Sequence, residues 1–249
     1  MELKGEWIYG RRPAMEVLRA RRRHIYEAVL PSGGRDSDDV AEMRAMLLAS
    51  GIPLHSLTRP ELDERTQGGN HQGVMLRTGG YPYIGIEQIV HDVQERPDAL
   101  VLMLDHIEDP QNVGSLLRSG EAAGITGVIL PEDRSAAVTP AAVRASAGAS
   151  EHLRVARVVN LTRAMKQLQD AGLWIVGLDT GDDTRPYNQI DFKGRMAIVV
   201  GAEGDGLGRV VRETCDFVAN IPMCGRVASL NAGVAGAIVL FEALRQRRK

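Results

Sequence analysis

Glu203 is a carboxylate residue surrounded by glycines, in the segment VVGAEGDGLG, where glycine stands at positions 201, 204, 206 and 208. Glycine lets backbone amides approach a ligand closely and lets the chain adopt positive φ. A carboxylate held among such glycines could order a neighbouring donor or contact a cation. A tight structural turn is the alternative interpretation of the same glycines.

Asn112 and Arg118 lie in a second polar segment, DPQNVGSLLRSGEAAG. Pro110 should end the preceding strand, so that Asn112 stands where a helix would begin. Apolar residues then recur at helical spacing and leave Arg118 on a face away from the core. Taken singly, Asn112 is more often a helix cap and Arg118 more often a surface charge.

Ser229 and Asn231 lie in the third segment, IPMCGRVASLNAGVAGAIVLFEAL, which spans residues 221–244. It begins like a buried strand, continues as a polar loop and ends as a helix with glycine or alanine at 232, 233, 235, 236 and 237. A surface helix would usually carry charged residues along one side. These small residues therefore indicate that something packs or binds closely against the helix.

Common catalytic and nucleotide-binding motifs are absent. The glycines from Gly206 fail the G-x-G-x-x-G pattern because Val211 stands at its last position. There is no G-x-x-x-x-G-K-[ST], H-E-x-x-H, G-x-S-x-G or C-x-x-C. The sequence thus gives no support to a dinucleotide-binding, nucleotide triphosphatase, hydrolase or zinc-protease function.

The elements that would position these loops alternate between strand and helix. An α/β fold is predicted, with a small α/β domain over residues 1–78, a linker over 79–95 and a larger domain over 96–249. In the larger domain, strands such as ALVLMLDHI and MAIVVG are almost continuously apolar. Such strands indicate a parallel sheet that is covered on both faces. We expect the first domain to be separable from the second.

Composition narrows the class of protein. The chain has 249 residues, 44% of them hydrophobic, which is enough for a full core. Thirty Lys and Arg against 32 Asp and Glu give a formal charge of −2, so any polyanion must be held by local basic patches. Two cysteines and no long apolar run predict a cytoplasmic protein with no membrane span and no four-ligand zinc site.

The three segments, in this order and at these spacings, resemble the three motifs of the SpoU family of RNA 2′-O-ribose methyltransferases. The resemblance covers the chain from about Leu104 to its end. The segments YGRRPAMEVLRA and NHQGVMLR are similar to the two ends of the small ribosomal-protein-like RNA-binding domain that precedes the catalytic domain in ribosomal RNA members. The overall similarity is greatest to members that methylate a guanosine of large-subunit ribosomal RNA.

This resemblance implies S-adenosylmethionine as cofactor, RNA as substrate, a trefoil-knotted parallel-sheet domain, a homodimer and no metal. It implies a catalytic group of five residues, Asn112, Arg118, Glu203, Ser229 and Asn231. It implies a cofactor site lined by seven residues, Gly201, Ala202, Glu203, Ile221, Met223, Ser229 and Leu230. Two alternatives stay open: a transfer-RNA ribose methyltransferase, and a non-catalytic RNA-binding protein on the same scaffold.

Overall fold

The computed structural model describes residues 5–31, 37–181, 183–227 and 229–248. Two β-sheets organise these residues, a mixed sheet of four strands and a parallel sheet of seven. The first sheet is built from β1 (Glu6–Tyr9), β2 (Ile25–Pro31), β3 (Leu54–Leu57) and β4 (Met75–Thr78), with helices α1 (Arg11–Ala20), α2 (Asp38–Ala49) and α3 (Arg59–Arg65).

The strand order of this small sheet is β1-β4-β2-β3. β4 is antiparallel to both of its neighbours, whereas β2 and β3 are parallel and are joined through α2. Apolar side chains of α1 and α2 pack on one face of the sheet, among them Val17, Leu18 and Met43. This part of the chain has the α/β composition that the sequence predicts.

The large sheet is built from β5 (Leu100–Leu104), β6 (Gly127–Pro131), β7 (Val155–Val158), β8 (Trp174–Leu178), β9 (Arg185–Pro186), β10 (Met196–Val200) and β11 (Phe217–Asn220). The helices are α4 (Ile86–Glu95), α5 (Pro110–Ala123), α6 (Pro140–Ala145), α7 (Leu161–Asp170), α8 (Arg209–Thr214) and α9 (Ala232–Arg247), with two short 3-10 helices at Ala149–His152 and Tyr187–Gln189.

All strand pairs of the large sheet are parallel, in the order β7-β6-β5-β10-β8-β11-β9. Successive side chains of a strand point to opposite faces, so β5 and β10 contribute to two separate core clusters. One cluster joins the sheet to α5, α6 and α9, and the other joins it to α4, α7 and α8. The predicted parallel sheet covered on both faces is confirmed.

Helix α5 begins two residues before the position expected from the sequence. Asp109 is its N-cap and accepts a hydrogen bond from the Gln111 amide at 2.9 Å, while Pro110 occupies the first helical position. The interpretation of Asn112 as the start of the helix is therefore wrong, because Asp109 is the cap and the helix has already begun at Pro110. The Asn112 side chain is thereby left to bond elsewhere.

The last segment also differs from its sequence-based description at one end. β11 ends at Asn220, and residues 221–224 form an irregular loop instead of a buried strand. The helix is present as α9, and the Asn231 side chain caps it by accepting a hydrogen bond from the Val234 amide at 3.1 Å. Ala228 of this segment lies outside the described residues.

The two sheets are joined by a buried ion pair. Arg23, after α1, donates two hydrogen bonds of 2.9 Å to the carboxylate of Glu151, and their side chains are 0% and 1% exposed. Beside this pair, the Tyr81 hydroxyl donates to the carbonyls of Ser150 and Leu153 at 2.8 Å. Burial raises the pKa of Tyr81 well above its usual range. The two halves of the chain are thus locked to each other by charged and polar contacts.

Across the described ranges, which leave out a few short gaps, no helix is both long and apolar enough to cross a membrane. The same ranges hold no group of three or more His, Cys, Asp or Glu side chains placed to bind a metal ion.

Candidate active site

The three glycine-containing and polar segments meet at the carboxyl end of the large sheet. They follow β5, β10 and β11, and β10 is hydrogen-bonded to both β5 and β8. In open parallel sheets, ligands bind beyond the carboxyl ends of the strands. The topology therefore brings together residues that are separated by more than a hundred positions in the chain.

Glu203 is the centre of a hydrogen-bonded cluster. Its Oε1 accepts bonds from Asn112 Nδ2 at 3.1 Å, from the Ala232 amide at 3.3 Å and from Asn231 Nδ2. Asn231 Nδ2 also donates to Asn112 Oδ1 at 2.7 Å. One residue from each of the three segments is therefore fixed by the other two, and Glu203 orders two amide side chains.

Three of the glycines around Glu203 are required by geometry. A Cβ at Gly201 would lie 2.3 Å from the carbonyl oxygen of Gly206, so only glycine allows the two sides of the loop to meet. Gly206 itself has a φ of 66° and Gly204 a φ of 87°, both in the left-handed region. The segment around Glu203 is therefore both a tight turn and a loop whose backbone forms part of a cavity wall.

A cavity of about 200 Å³ lies against this loop. Its walls come from the ends of β8, β10 and β11, from the loops after them and from the start of α9. Leu178, Ile221 and Leu230 supply apolar surface, and Asp179, Glu203 and Asp205 supply carboxylates. Among the described residues no Lys, Arg or His lines it. The cavity is suited to a ligand that combines an apolar part with positive charge.

All seven residues expected to bind the cofactor line this cavity: Gly201, Ala202, Glu203, Ile221, Met223, Ser229 and Leu230. Of the five expected catalytic residues, Asn112, Glu203 and Asn231 form the hydrogen-bonded cluster and Ser229 lies in the wall.

Arg118 lies apart from the other four. It is an exposed residue of α5, almost two turns after Asn112, and it lines none of the cavities described here. Within the part of the chain that the structure describes, its guanidinium forms no ion pair or hydrogen bond. A single chain therefore does not bring Arg118 to Glu203.

Two carboxylates that support the site were missed in the sequence. Asp105 directly follows β5, is fully buried and accepts a hydrogen bond from the Gly208 amide at 2.7 Å, which connects the Glu203 loop to the neighbouring strand. Asp179 directly follows β8 and accepts a hydrogen bond from Arg212 Nε at 3.1 Å. Both stand directly after apolar strands. A charged residue at that position is the feature of the sequence that could have identified them as part of the site.

A second cavity of about 520 Å³ adjoins the first. It lies between the segment after β5 and the Glu203 loop, and both cavities are lined by Ala202, Glu203, Asp205 and Gly206. Asn112 lines the second cavity, and Asn231, at the start of α9, donates a hydrogen bond to Asn112. The Glu203 cluster therefore stands between two cavities, as a group that positions two reactants would.

Small residues bring α9 close to α5. A Cβ at Gly236 would lie 2.3 Å from Leu116 Cδ2, and one at Gly233 would lie 3.1 Å from Ser115 Oγ. The close approach holds Asn231, at the start of α9, beside Asn112, near the start of α5. The glycines at the start of the last helix thus serve the geometry of the Glu203 cluster.

Comparison with known proteins agrees with this architecture. Residues 99–241 match the SpoU rRNA Methylase family, and residues 7–84 match a family described as RNA 2′-O ribose methyltransferase substrate binding. A 23S rRNA (guanosine-2′-O-)-methyltransferase, RlmB, of Vibrio vulnificus is 40% identical over 245 residues, which cover 98% of each chain. An uncharacterized tRNA/rRNA methyltransferase of Mycobacterium ulcerans is 42% identical over 98% of this chain and 78% of its own.

Among solved structures, the SpoU methyltransferase AviRb of Streptomyces viridochromogenes in complex with the cofactor AdoMet superposes with a TM-score of 0.80, at 26% identity, over 97% of this chain and 90% of its own. The first family match spans more than half of the chain, and the Vibrio relative aligns along almost all of it. The protein belongs to the SpoU rRNA methylase family.

Proposed function

We propose that this protein transfers the methyl group of S-adenosylmethionine to the ribose 2′-hydroxyl of a guanosine in 23S ribosomal RNA. The observation that carries this proposal is the Glu203 cluster, which stands between a small acid-lined cavity and a larger polar one. The name of the Vibrio relative supports guanosine and 23S RNA as the substrate.

The first cavity fits S-adenosylmethionine by its chemistry. The cofactor carries a cationic sulfonium and an ammonium, and the described lining has three carboxylates and no basic side chain. Apolar walls at Leu178, Ile221 and Leu230 suit a flat purine ring, and the backbone around Gly201 offers hydrogen-bonding groups at close range. When bound, the cofactor supplies an electrophilic methyl group.

The chain's own groups position the acceptor. The second cavity shares Glu203 with the first and is open enough to take a nucleoside, so the target ribose belongs at their common wall. The amides of Asn112 and Asn231 are held by Glu203 and by each other, so they are oriented before substrate arrives. Preorganised donors of this kind stabilise the negative charge that develops on an attacking oxygen.

Arg118 has a proposed role that depends on RNA. A guanidinium stays protonated under ordinary conditions, so it acts as a fork that holds a phosphate or a developing oxyanion. Arg118 is exposed and has no ion pair within the described ranges, which leaves that fork available to RNA. We assign to it stabilisation of the reacting ribose and its adjacent phosphate.

A homodimer is part of the proposal. The exposed side of α9 carries Val234 and Phe241, which are 48% and 47% exposed, with Ile238 between them at helical spacing. An apolar stripe of this kind on a helix next to a ligand site is typical of an interface. Light scattering at micromolar concentration should give the mass of two chains, and a monomer mass would contradict it.

Three further expectations are proposed with the function. The trefoil knot is a property that the family resemblance implies, and the late insertion of β10 between β5 and β8 is compatible with it. The division at 78 and 95 is supported by the separate sheets, although α4, which lies wholly within the expected linker, packs on the large sheet. A cytoplasmic location is proposed because ribosomal RNA is the substrate.

Methyl transfer to 23S rRNA transcript from labelled S-adenosylmethionine, followed by mass-spectrometric mapping of the product, tests the function. We expect one 2′-O-methylguanosine. The variant Glu203→Gln should lose most activity, because an amide in its place cannot accept from both asparagine side chains at one oxygen as strongly. Modification of transfer RNA alone would favour the first alternative, and cofactor binding without transfer to any RNA would favour a scaffold role.

A further inference from the structure

A basic cavity lies where the two halves of the chain meet, away from the Glu203 cluster. We call it the junction cavity; its volume is about 440 Å³ and it is lined by Tyr9, Gly10, Arg11, Arg12, Pro13, Asp39, Asn70, Gln72, Arg144 and Ala147. Arg11 and Arg12 come from the start of α1, and Arg144 comes from α6, beside the large sheet. Three guanidinium groups thus face one carboxylate.

These arginines are not neutralised. Arg12 and Arg144 form no ion pair within the ranges that the structure describes, and the Arg11 guanidinium donates there only to the carbonyl oxygen of Gln72, at 3.3 Å. Arg19, on the same helix as Arg11, is instead paired with Glu16 at 3.1 Å and with Glu42 at 3.2 Å. The positive charge at the start of α1 therefore remains available to an external anion.

The position of Arg144 is fixed by the small sheet. Its guanidinium lies over the ring of Tyr9, 4.2 Å from the centroid, in a cation–π contact. Just beyond α6, Gly148 packs on α1, where a Cβ would lie 2.7 Å from Glu16 Cβ and 3.1 Å from Pro13 Cα. Because one half of the chain orients an arginine of the other, the junction cavity has a defined geometry.

The junction cavity continues along the small sheet. A neighbouring cavity of about 750 Å³ shares Arg11, Asn70 and Gln72 with it and adds Arg59. Arg59 is exposed and has no ion pair in the described part of the chain. Together the two cavities form a track lined by four arginines and two carboxylates, Asp39 and Asp63. Its excess of positive charge suits a nucleic-acid backbone.

The track reaches toward the Glu203 cluster through α6. A Cβ at Gly114 would lie 2.3 Å from Ala145 Cβ, and Ala145 follows Arg144. Gly114 is two residues after Asn112 on α5, so the helix that carries Arg144 packs directly on the helix that carries Asn112.

We propose that the junction cavity binds backbone phosphates of the RNA substrate, with Arg144 of the catalytic half and Arg11 and Arg12 of the small half acting on one stretch of strand. The inference rests on the proposed function in taking RNA as its ligand. It assigns to the catalytic half a share in RNA binding that the family match of residues 7–84 does not cover.

The test compares Arg12→Ala and Arg144→Ala with Arg163→Ala as a matched control. Arg163 is an exposed arginine of α7, on the opposite face of the large sheet, and it too has no ion pair in the described ranges. RNA affinity is measured with 23S rRNA transcript as a function of salt, and methyl transfer and cofactor binding are measured on the same preparations.

We expect each junction variant to weaken RNA binding by about tenfold, the loss that one charge-assisted contact of about 1.4 kcal/mol represents. Each should lower the slope of log affinity against log salt by about 0.7. The KM for RNA should rise, while kcat at saturating RNA and cofactor affinity stay within about twofold of the unmodified protein. Tyr9→Leu, which keeps every charge, should weaken binding less than Arg144→Ala.

Junction variants that bind RNA as tightly as Arg163→Ala, with an unchanged salt slope, would overturn the inference. That result is distinguishable from failure of the proposed function. A protein that transfers no methyl group to RNA but loses RNA affinity in both junction variants would refute the function and support the cavity. If both variants methylate RNA with an unchanged KM, the proposed function is supported and the junction cavity is refuted.

Discussion

Replacing Arg23 by alanine should destabilise both sheets of the protein together. The guanidinium of Arg23 forms two 2.9 Å bonds with Glu151 and a third of 3.1 Å with Glu6. The side chains of Arg23 and Glu151 are 0% and 1% exposed, so the alanine variant would leave the Glu151 carboxylate in the interface without its cation. A buried charge that loses its partner is costly because protein cannot replace the lost hydration.

The expected cost follows from this burial. Removing one partner of a buried pair typically destabilises a protein by about 3–5 kcal/mol. For a chain of this length each kcal/mol lowers Tm by about 2–4 °C, so a fall of roughly 6–20 °C is expected. Replacing both partners, as in Arg23→Met with Glu151→Leu, should recover most of the loss, because the uncompensated charge is removed.

The two tryptophans provide an assay for each half. Trp7 lies in β1 of the small sheet and Trp174 in β8 of the large sheet, and the chain has no others. Urea unfolding of the variants Trp7→Phe and Trp174→Phe, followed by fluorescence, therefore reports one sheet at a time. If the two halves unfold as one unit, the two probes should give the same midpoint as each other in the original protein. They should again agree with each other in Arg23→Ala, at a lower urea concentration.

The matched control is Arg209→Ala, which breaks a pair with Glu213 whose side chains are 80% and 59% exposed. An exposed pair contributes at most about 1 kcal/mol, so this variant should unfold almost as the original does. Equal stability of Arg23→Ala and Arg209→Ala would refute the reasoning. Separate midpoints for the two tryptophans in the original protein would instead support the separable first domain predicted from the sequence.

Three other predictions concern the site and its surroundings. Arg118→Ala and Arg118→Lys should each lower single-turnover methylation by about a hundredfold or more, as loss of an oxyanion donor does, with cofactor affinity unchanged by calorimetry; near-normal turnover would remove Arg118 from the mechanism. Gly201→Ala should weaken cofactor binding in the same calorimetric assay, because its Cβ would lie 2.3 Å from the carbonyl oxygen of Gly206 and displace the loop; unchanged affinity would place the cofactor elsewhere. Burial raises the pKa of Cys215 to about 12, so at pH 8 this thiol is almost wholly protonated, whereas Cys224 is exposed. Ellman's reagent should therefore titrate one thiol rapidly in the native protein and two after denaturation; two rapid thiols in the native state would contradict the burial.

Much of the fold could be predicted from local sequence pattern. The apolar strands and the helices between them alternate at periods that the sequence displays, and the helix after Asn231 was recognised by its composition. Asn112 was misplaced because a proline two residues earlier can start a helix as well as end a strand, and the choice depended on Asp109 acting as the cap. Local pattern could not distinguish these possibilities.

The contacts between distant parts of the chain were beyond such reasoning. Arg23 and Glu151 are 128 residues apart, and nothing in either local sequence marks them as partners. The same holds for Tyr9 and Arg144, which meet only because the small sheet packs against α6. The three segments around Glu203 were associated through their resemblance to a family, and the parallel strand order gives the physical reason for their meeting.

The position of β10 has a consequence for synthesis of the chain on the ribosome. β10 pairs with β5 through Met196 and Leu100 and with β8 through Met196 and Trp174, so it occupies the middle of the sheet although it is made after both neighbours. The small sheet can close once residue 78 has emerged, but β5 and β8 must wait for a shared partner. Long-range pairing of this kind folds slowly and exposes apolar strand edges meanwhile. The nascent large domain is therefore most exposed to aggregation and to chaperones between synthesis of β8 and synthesis of β10.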